Sequence, residues 1–421
     1  MKITVLLESF ERQKGQDNSE TYTLFCDFAT IDDARNLYSR VTQQQIGQDQ
    51  IQSLPTGVHI IGVKGKRRFA EDTYYEFDLD TPGVTLNRNP DLTTVYNSYT
   101  IDFAGASLEA TKNAISRVSY TVVESKLEKA ASTMGTKGLV SLLSSIAEAS
   151  KDEKEFVRVN NIGQGNWNEY HIGNRIPLVF DLGTWMNASN LKARSLVDEN
   201  SPKYASSATK PIVILSHWDL DHYRCLLEMK PKEIGYFGVF VVVETLPTAT
   251  AQKAYDLIKK AHKVEIVAIP TYGKSKSKIP VMLKDCIQSS KVSIYPGVGS
   301  NRNSKGLIAV VKNKKTAVLL SGDCLWSQLN HVMRNEASAV NVKNIECHLV
   351  VPHHGGAKDD SYIGFVIPCC WKYGKVAVSV GKGNRYHHPN RSLLAYIKEL
   401  YGIKKAIDRT DKLQADIDLK M

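Results

Sequence analysis

The sequence predicts an α/β protein, with sheet layers covered by helices and a smaller α+β unit in front of them. Three observations predict it. Short β-branched runs, such as Ile212-Val213-Ile214-Leu215 and residues 237–243, alternate with amphipathic stretches such as residues 249–262. Several apolar runs end in a glycine, an acid or a histidine, as strands do when they deliver polar groups to one sheet edge. A highly charged segment, residues 151–158 (KDEKEFVR), divides two halves of different character.

In the first half, residues 2–10, 22–28, 58–64, 73–79 and 94–103 read as strands from their alternation. Residues 31–46 read as a helix that opens on Asp32-Asp33 and carries Ala34, Leu37, Tyr38 and Val41 at helical spacing. Residues 108–132 predict a second, longer helix, with Ala114, Ile115, Val118, Val122 and Leu127 on one broad face. Residues 135–149 continue as another. Residues 1–150 are therefore expected to form an accessory α+β domain. This half shows no metal cluster, phosphate loop or nucleophile signature. Its one histidine, His59, alternates into a strand and reads as core, and the basic run of residues 64–68 reads as a solvated turn. Interaction with a protein partner, targeting or dimerisation would suit such a domain.

The second half begins a new pattern at Gly163 and Gly165, which let the backbone turn tightly. Residues 167–172 and 177–180 read as strands, the latter ending in Asp181-Leu182-Gly183. Residues 187–210 read as a loop or weak helix. Strands follow at 211–215, 237–243, 264–269, 292–295, 306–311, 316–320 and 376–380. A helix is expected over 391–401, then a charged, frayed tail over 406–421.

The chemistry collects at strand ends. After the run 212–215 comes Ser216, then His217, Asp219, Asp221 and His222. Neutral imidazoles and carboxylates suit a divalent first-row metal, and zinc takes both at about 2.0–2.2 Å. If residues 217, 219 and 221 are extended they share one side, with His222 turning back, which suggests two adjacent ions. Four other strand ends carry Asp181, Asp323, His353-His354 and His387-His388. Loops from one sheet edge converge in space, so these groups are expected to meet.

Composition bounds the setting. The chain has 421 residues, a net charge of +10 and 42% hydrophobic residues, which suits a globular protein with a polyanionic partner. No apolar stretch reaches the roughly 18–20 residues that span a bilayer. The N-terminus reads as a strand and not a signal peptide. Seven cysteines without CxxC pairs favour a reducing cytoplasm over a disulfide scaffold.

Five motifs in order resemble the metallo-β-lactamase fold superfamily, and most nearly the metallohydrolase domain attached to competence-type DNA-uptake channels and its soluble relatives. They are Ile162-Gly163-Gln164-Gly165-Asn166, His217–His222, Ser321-Gly322-Asp323, His353-His354-Gly355, and Ser379-Val380-Gly381 with Asn384, Tyr386 and His388-Pro389. The resemblance covers about residues 156–405 and leaves residues 1–150 outside it. It implies an αββα sandwich with a binuclear centre at one edge of the two sheets. On it, His217 and Asp219 match ligands of one ion, Asp221 and His222 those of the other, and Asp323 the bridging carboxylate. His353 or His354, with His353 favoured, and His388 match the remaining ligands. Asn166, Asp181, His354, Asn384, Arg385 and His387 stand as supporting or substrate-facing groups. Asn161 and Asn166 replace aspartates usual in the family, which bears on charge balance. Tyr223-Arg224 follow the Asp-His pair where relatives often have smaller residues. No histidine between His222 and Asp323 fits the third motif of lactamases and glyoxalases, which argues against both of those activities.

The implied cofactor is a pair of divalent ions, zinc by first expectation and manganese or iron by second. The implied reaction is phosphodiester hydrolysis by activated water, with Asp221 handling the proton and nucleic acid as the polyanion. A small cyclic nucleotide is the alternative substrate. A third possibility, kept open by the two asparagines, is a non-catalytic metal-binding assembly module.

Overall fold

A computed structural model describes the chain except residues 15–19, 48–49, 51, 53, 66–68, 89–98, 208, 272–280, 283–285, 300, 340–344, 357–370, 383–387 and 401–406. Contacts divide it into two units. The first comprises residues 1–129 with the short segments 187–192 and 245–256. The second comprises residues 130–186, 193–244 and 257–421. The division after Lys129 falls about one helix earlier than the charged segment at 151–158.

In the first unit, seven strands among the described residues form one sheet. Their order is Thr85–Arg88, Tyr99–Asp102, Gly57–Lys64, Glu20–Phe28, Lys2–Lys14, Thr73–Asp78 and Ile115–Val118. The helix Ile31–Thr42 lays Ile31, Ala34 and Leu37 on it. Thr30 caps this helix by accepting from the Asp33 backbone N–H at 3.1 Å while its hydroxyl donates to the Asp33 carboxylate at 2.7 Å. It stops at Thr42, short of the expected 46, because Gln43 turns left-handed and closes on Ser39.

The long helix expected over 108–132 does not form. Ser107 caps a short helix, Leu108–Ala114, and the chain then extends as Ile115–Val118, antiparallel to Thr73–Asp78. Sheet pairing satisfies the backbone there and buries Ile115 in the sheet's core cluster, which helical propensity alone would not achieve. A short helix, Tyr120–Glu124, follows.

Two sheets make up the second unit. The first runs Glu265–Ile269, Val239–Val243, Ile212–Ile214, Arg175–Phe180, Asn168–Ile172, Glu155–Val159, Ile417–Lys420, parallel at its first four strands. The second runs Val281–Met282, Val292–Val298, Leu307–Lys312, Thr316–Leu320, Ile345–Val350, Trp371–Val378, Asp408–Arg409, with Ile287–Gln288 beside Val292–Val298. Thr316–Leu320, Ile345–Val350 and Trp371–Val378 are parallel neighbours. Every residue of Val239–Val243 and of Thr316–Leu320 is buried, so both faces of each sheet are covered. Helices Trp326–Ala339 and Arg391–Leu400 cover the second sheet through Leu329, Val332, Met333, Leu393 and Ile397. The polar stretch 187–210 forms two helices, Asn190–Asn200 and Pro202–Ala205. Among the described residues no helix is long and apolar enough to cross a membrane.

The frayed tail is also corrected. Ile417–Lys420 pairs antiparallel with Glu155–Val159, placing Ile417 opposite Val159 and Leu419 opposite Val157. Residues 417–420 alternate with period two, so Ile417 and Leu419 are buried while Asp418 forms a two-pronged pair with Arg158 at 2.8 and 2.9 Å. Leu419→Ala is expected to destabilise the protein by about 3 kcal/mol, measured by denaturant unfolding.

One buried charge fixes a helix to the first of these sheets. Glu169 is fully buried on the strand Asn168–Ile172 and meets Lys203 at 2.6 Å, His171 at 2.9 Å and the Tyr204 hydroxyl. Burial alone would raise its pKa, but His171, Lys203 and Tyr204 outweigh it and hold it at about 2. A lowered carboxyl stabilises the fold above its unfolded value of 4.5 and loses that contribution as pH falls towards 2. Glu169→Gln is expected to cost about 3 kcal/mol at neutral pH. The gap from wild type should close in urea melts as pH drops below 4.5.

Candidate metal centre

Each group arrives on the loop past the carboxyl end of a strand. Asp181 follows Arg175–Phe180, and the 216–222 turn follows Ile212–Ile214. Asp323 follows Thr316–Leu320, His353 and His354 follow Ile345–Val350, and His388 follows Trp371–Val378. Parallel neighbours put these ends on the same side of each sheet. The sheets meet where the Leu307 N–H donates to the Ser216 carbonyl at 2.6 Å and the Ser379 hydroxyl donates to the Gly165 carbonyl at 2.6 Å.

Two glycines let the 216–222 turn sit so close. A Cβ on Gly183 would lie 1.7 Å from the Asp221 carbonyl oxygen, and one on Gly165 would lie 2.7 Å from it. No side chain fits at either point. The backbone is also bent out of ordinary regions: Asp181 has φ +64, and His353 and His354 both have φ +52. Left-handed backbone at three non-glycine residues is strain that the surrounding packing holds in place.

Asp181 organises the histidines. It is fully buried, and its Oδ1 accepts from the Ser216 N–H at 2.6 Å. Its Oδ2 accepts from the Ser216 hydroxyl at 2.9 Å and from His222 Nδ1 at 2.8 Å. A serine hydroxyl that donates to Asp181 can only accept from His217 Nδ1, 2.9 Å away. His354 Nδ1 donates to the Ser379 carbonyl at 2.8 Å. All three imidazoles are thus fixed with the Nδ1 proton outward and the Nε2 lone pair inward, as in metal-binding histidines. Asn166 Nδ2 lies 3.4 Å from His222 Nδ1, but with that proton given to Asp181 two N–H groups face each other there, so Asn166 does not help to hold the ring.

The inward atoms converge. Nε2 of His217, His222 and His354 and Oδ1 of Asp323 are buried and make no hydrogen bond. His222 Nε2 lies 3.1 Å from Asp323 Oδ1 and 3.8 Å from Asp221 Oδ1. His354 Nε2 lies 3.3 Å from Asp221 Oδ2 and 3.9 Å from Asp323 Oδ1. Four donors about 2.0–2.1 Å from a tetrahedral ion are about 3.3–3.4 Å apart, close to these separations. Two sets of three donors lie within 4.8 Å: Asp221, His222 and His354, and His217, His222 and Asp323. The residues therefore fit a small divalent ion, and imidazole with carboxylate suits zinc, manganese or iron.

The charge balance agrees. Burial alone would raise the Asp323 carboxyl, but His353 and His222 hold it well below the usual range. Burial would lower His222, but Asp323, Asp181 and Asp221 hold it well above its usual value. Such a site favours positive charge at its centre.

The geometry brings in His354 where the resemblance favoured His353. His353 instead donates from Nδ1 to Asp323 Oδ2, and its ring stands 5.3 Å from that of His388. Burial, with His353 and His354 nearby, lowers His388 to about 4. Among the described residues, no set of three donors includes Asp219, His353 or His388. Asn384, Arg385 and His387 lie outside the described residues. Sequence reasoning missed Arg302, on the short helical turn Asn303–Lys305 and its cap. Its Nε is 2.9 Å from Asp219 Oδ1, an ion pair bent too far for a hydrogen bond. A polar run between two buried strands was the available signal.

No model of a known protein family matches the chain, and no curated protein does. Among solved structures the chain is similar to CmlA, a diiron β-hydroxylase from Streptomyces venezuelae. That likeness has 10% identity and a TM-score of 0.35, over 64% of this chain and 55% of CmlA. It is also similar to Zn2+-bound PqqB from Methylobacterium extorquens, with 10% identity and a TM-score of 0.35, over 63% of this chain and 100% of PqqB. The chain thus spans about half the length of CmlA. Likenesses this distant carry no argument about the metal or reaction of this chain.

Asp181→Asn tests the organising role. The amide places an N–H against His222 Nδ1, which favours the tautomer with its proton on Nε2 and removes that lone pair. Metal affinity is expected to fall about 10–100-fold by calorimetric titration, with the far-UV spectrum unchanged.

Proposed function

We propose that this chain is a metal-dependent hydrolase of the metallo-β-lactamase superfamily that cleaves phosphodiester bonds in nucleic acid. The observation that carries the reading is the convergence of donors in two groups within 4.8 Å, Asp221 with His222 and His354, and His217 with His222 and Asp323, in which Nε2 of all three histidines is buried and unbonded. The order of the five motifs in the sequence supports the superfamily. When bound, a divalent ion supplies Lewis-acid polarisation of a phosphoryl oxygen and makes nearby water more acidic.

The protein groups do the rest. Asp221 sits between His222 and His354, and its side chain is 13% exposed, so one carboxylate oxygen is available to take a proton from attacking water. His353, with its side chain 19% exposed, lies at the more open side of the cluster. The net charge of +10 supports a polyanionic substrate, as does the exposed Lys382 ahead of His388.

The test is turnover of single-stranded DNA, RNA, bis-p-nitrophenyl phosphate and cyclic dinucleotides with added zinc or manganese. Polymer cleavage is expected. It should weaken as salt rises and fall at least about 100-fold in Asp221→Ala. Turnover confined to cyclic dinucleotides would replace the nuclease reading with a small-ligand phosphodiesterase. Silence on every substrate with metal bound would point to an assembly module.

A further inference from the structure

We propose that Trp185 is the surface on which a base of a single-stranded nucleic acid stacks beside the metal centre. The inference rests on the phosphodiesterase reading above and adds to it a substrate with an unpaired base near the bond that is cut.

Three observations carry it. First, the indole is wedged between two of the loops that build the centre. A Cβ on Gly163 or on Gly381 would lie 2.2 Å from Trp185 Nε1. Gly163 has a φ of +89 and favours glycine in any case. At Gly381 the backbone is ordinary, and the indole and the Gln164 nitrogen fill the place of a side chain. Second, these loops reach the metal-facing residues. Ser379, two residues before Gly381, takes the His354 Nδ1 proton on its carbonyl. A Cβ on Gly165 would lie 2.7 Å from the Thr184 Cα and 2.7 Å from the Asp221 carbonyl oxygen, so the residue beside Trp185 packs on the Asp221 backbone. Third, this packing does not use up the ring. Its Nε1 edge is held between the glycines, yet 42% of the residue is exposed. A large apolar ring gains by leaving water, so one held in place and left exposed at a site is ready to contact a ligand.

The class of ligand follows from the chemistry beside the ring. Every nucleobase has a π face, and stacking one on an aromatic side chain is worth about 5- to 100-fold in affinity. A base inside a duplex has both faces covered by its neighbours, so such a ring accepts a base from a single strand. Exposed Lys382 directly follows Gly381 and supplies a cation for the phosphates next to the glycine that holds the indole. An aromatic face together with a cation is the combination by which single strands are held without regard to sequence.

The full-length protein would be tested on two labelled oligomers of equal length, one of thymidine and one with the same phosphates and no bases. Initial rates with zinc or manganese give kcat and KM, and fluorescence anisotropy in chelator gives affinity where nothing is cut. The wild type is expected to favour the thymidine oligomer about 10-fold. Trp185→Ala should lose that preference, raising KM on thymidine about 10-fold with kcat held and the abasic oligomer unaffected. Trp185→Phe should keep most of the preference and Trp185→Leu should not. That pair separates a stacking face from a filler of the gap, and decides the matter if circular dichroism shows Trp185→Ala unfolded. No preference in the wild type, equal loss on both oligomers in Trp185→Ala, or a preference that survives in Trp185→Leu would overturn the stacking inference and leave the phosphodiesterase reading standing. A wild type that neither cuts nor binds either oligomer would end both.

Discussion

The constraint on which the centre depends is the buried carboxylate of Asp181. An imidazole left alone in a protein can carry its proton on either nitrogen. Here one carboxylate settles that choice for His222 directly and for His217 through the Ser216 hydroxyl. A buried carboxylate is costly unless its oxygens are satisfied, and Asp181 meets the Ser216 N–H, the Ser216 hydroxyl and the His222 ring. Its left-handed backbone follows from turning sharply off the strand to reach them. The same bend leads into Gly183, where the absence of a side chain lets the Asp221 carbonyl approach.

Around that constraint the structure balances charge at close range. Asp181, Asp219, Asp221 and Asp323 sit within a few residues' reach of one another, and each faces a cation or an imidazole. Low local dielectric makes every such pairing strong and every missing one costly. Arg302 comes from the link between Val292–Val298 and Leu307–Lys312, a part of the second sheet that brings no motif of its own. The centre is therefore assembled by both sheets. A change at Arg302 would alter the electrostatics of the 216–222 turn through Asp219.

Much of this was legible in the sequence where local pattern and tertiary demand agree. Strands such as Val239–Val243 announce themselves by unbroken β-branched runs, and of the polar residues past strand ends the fold brings His217, His222 and Asp323 within 4.8 Å of one another. The choice between His353 and His354 was not legible, because adjacent residues at left-handed φ point in directions that spacing does not encode. Arg302 was missed because an arginine in a polar loop carries no periodic signal; only the fold brings it to Asp219. The helix expected over 108–132 failed for a related reason. The open edge of Thr73–Asp78 needed hydrogen-bond partners, and Ile115–Val118 supplied them. The closing strand was overlooked because four residues give too short a window for period two to stand out among charges.

That closing strand has a consequence for how the protein is made. Ile417–Lys420 completes the edge beside Glu155–Val159, a partner synthesised some 260 positions earlier, as the Arg158–Asp418 pair spans. Until the last of these residues leaves the ribosome, the edge of that sheet stays open. Unpaired edges recruit other strands, including those of neighbouring nascent chains. The interval between synthesis of the two strands is thus a window of vulnerability, in which translation speed and chaperone access govern the yield of folded protein.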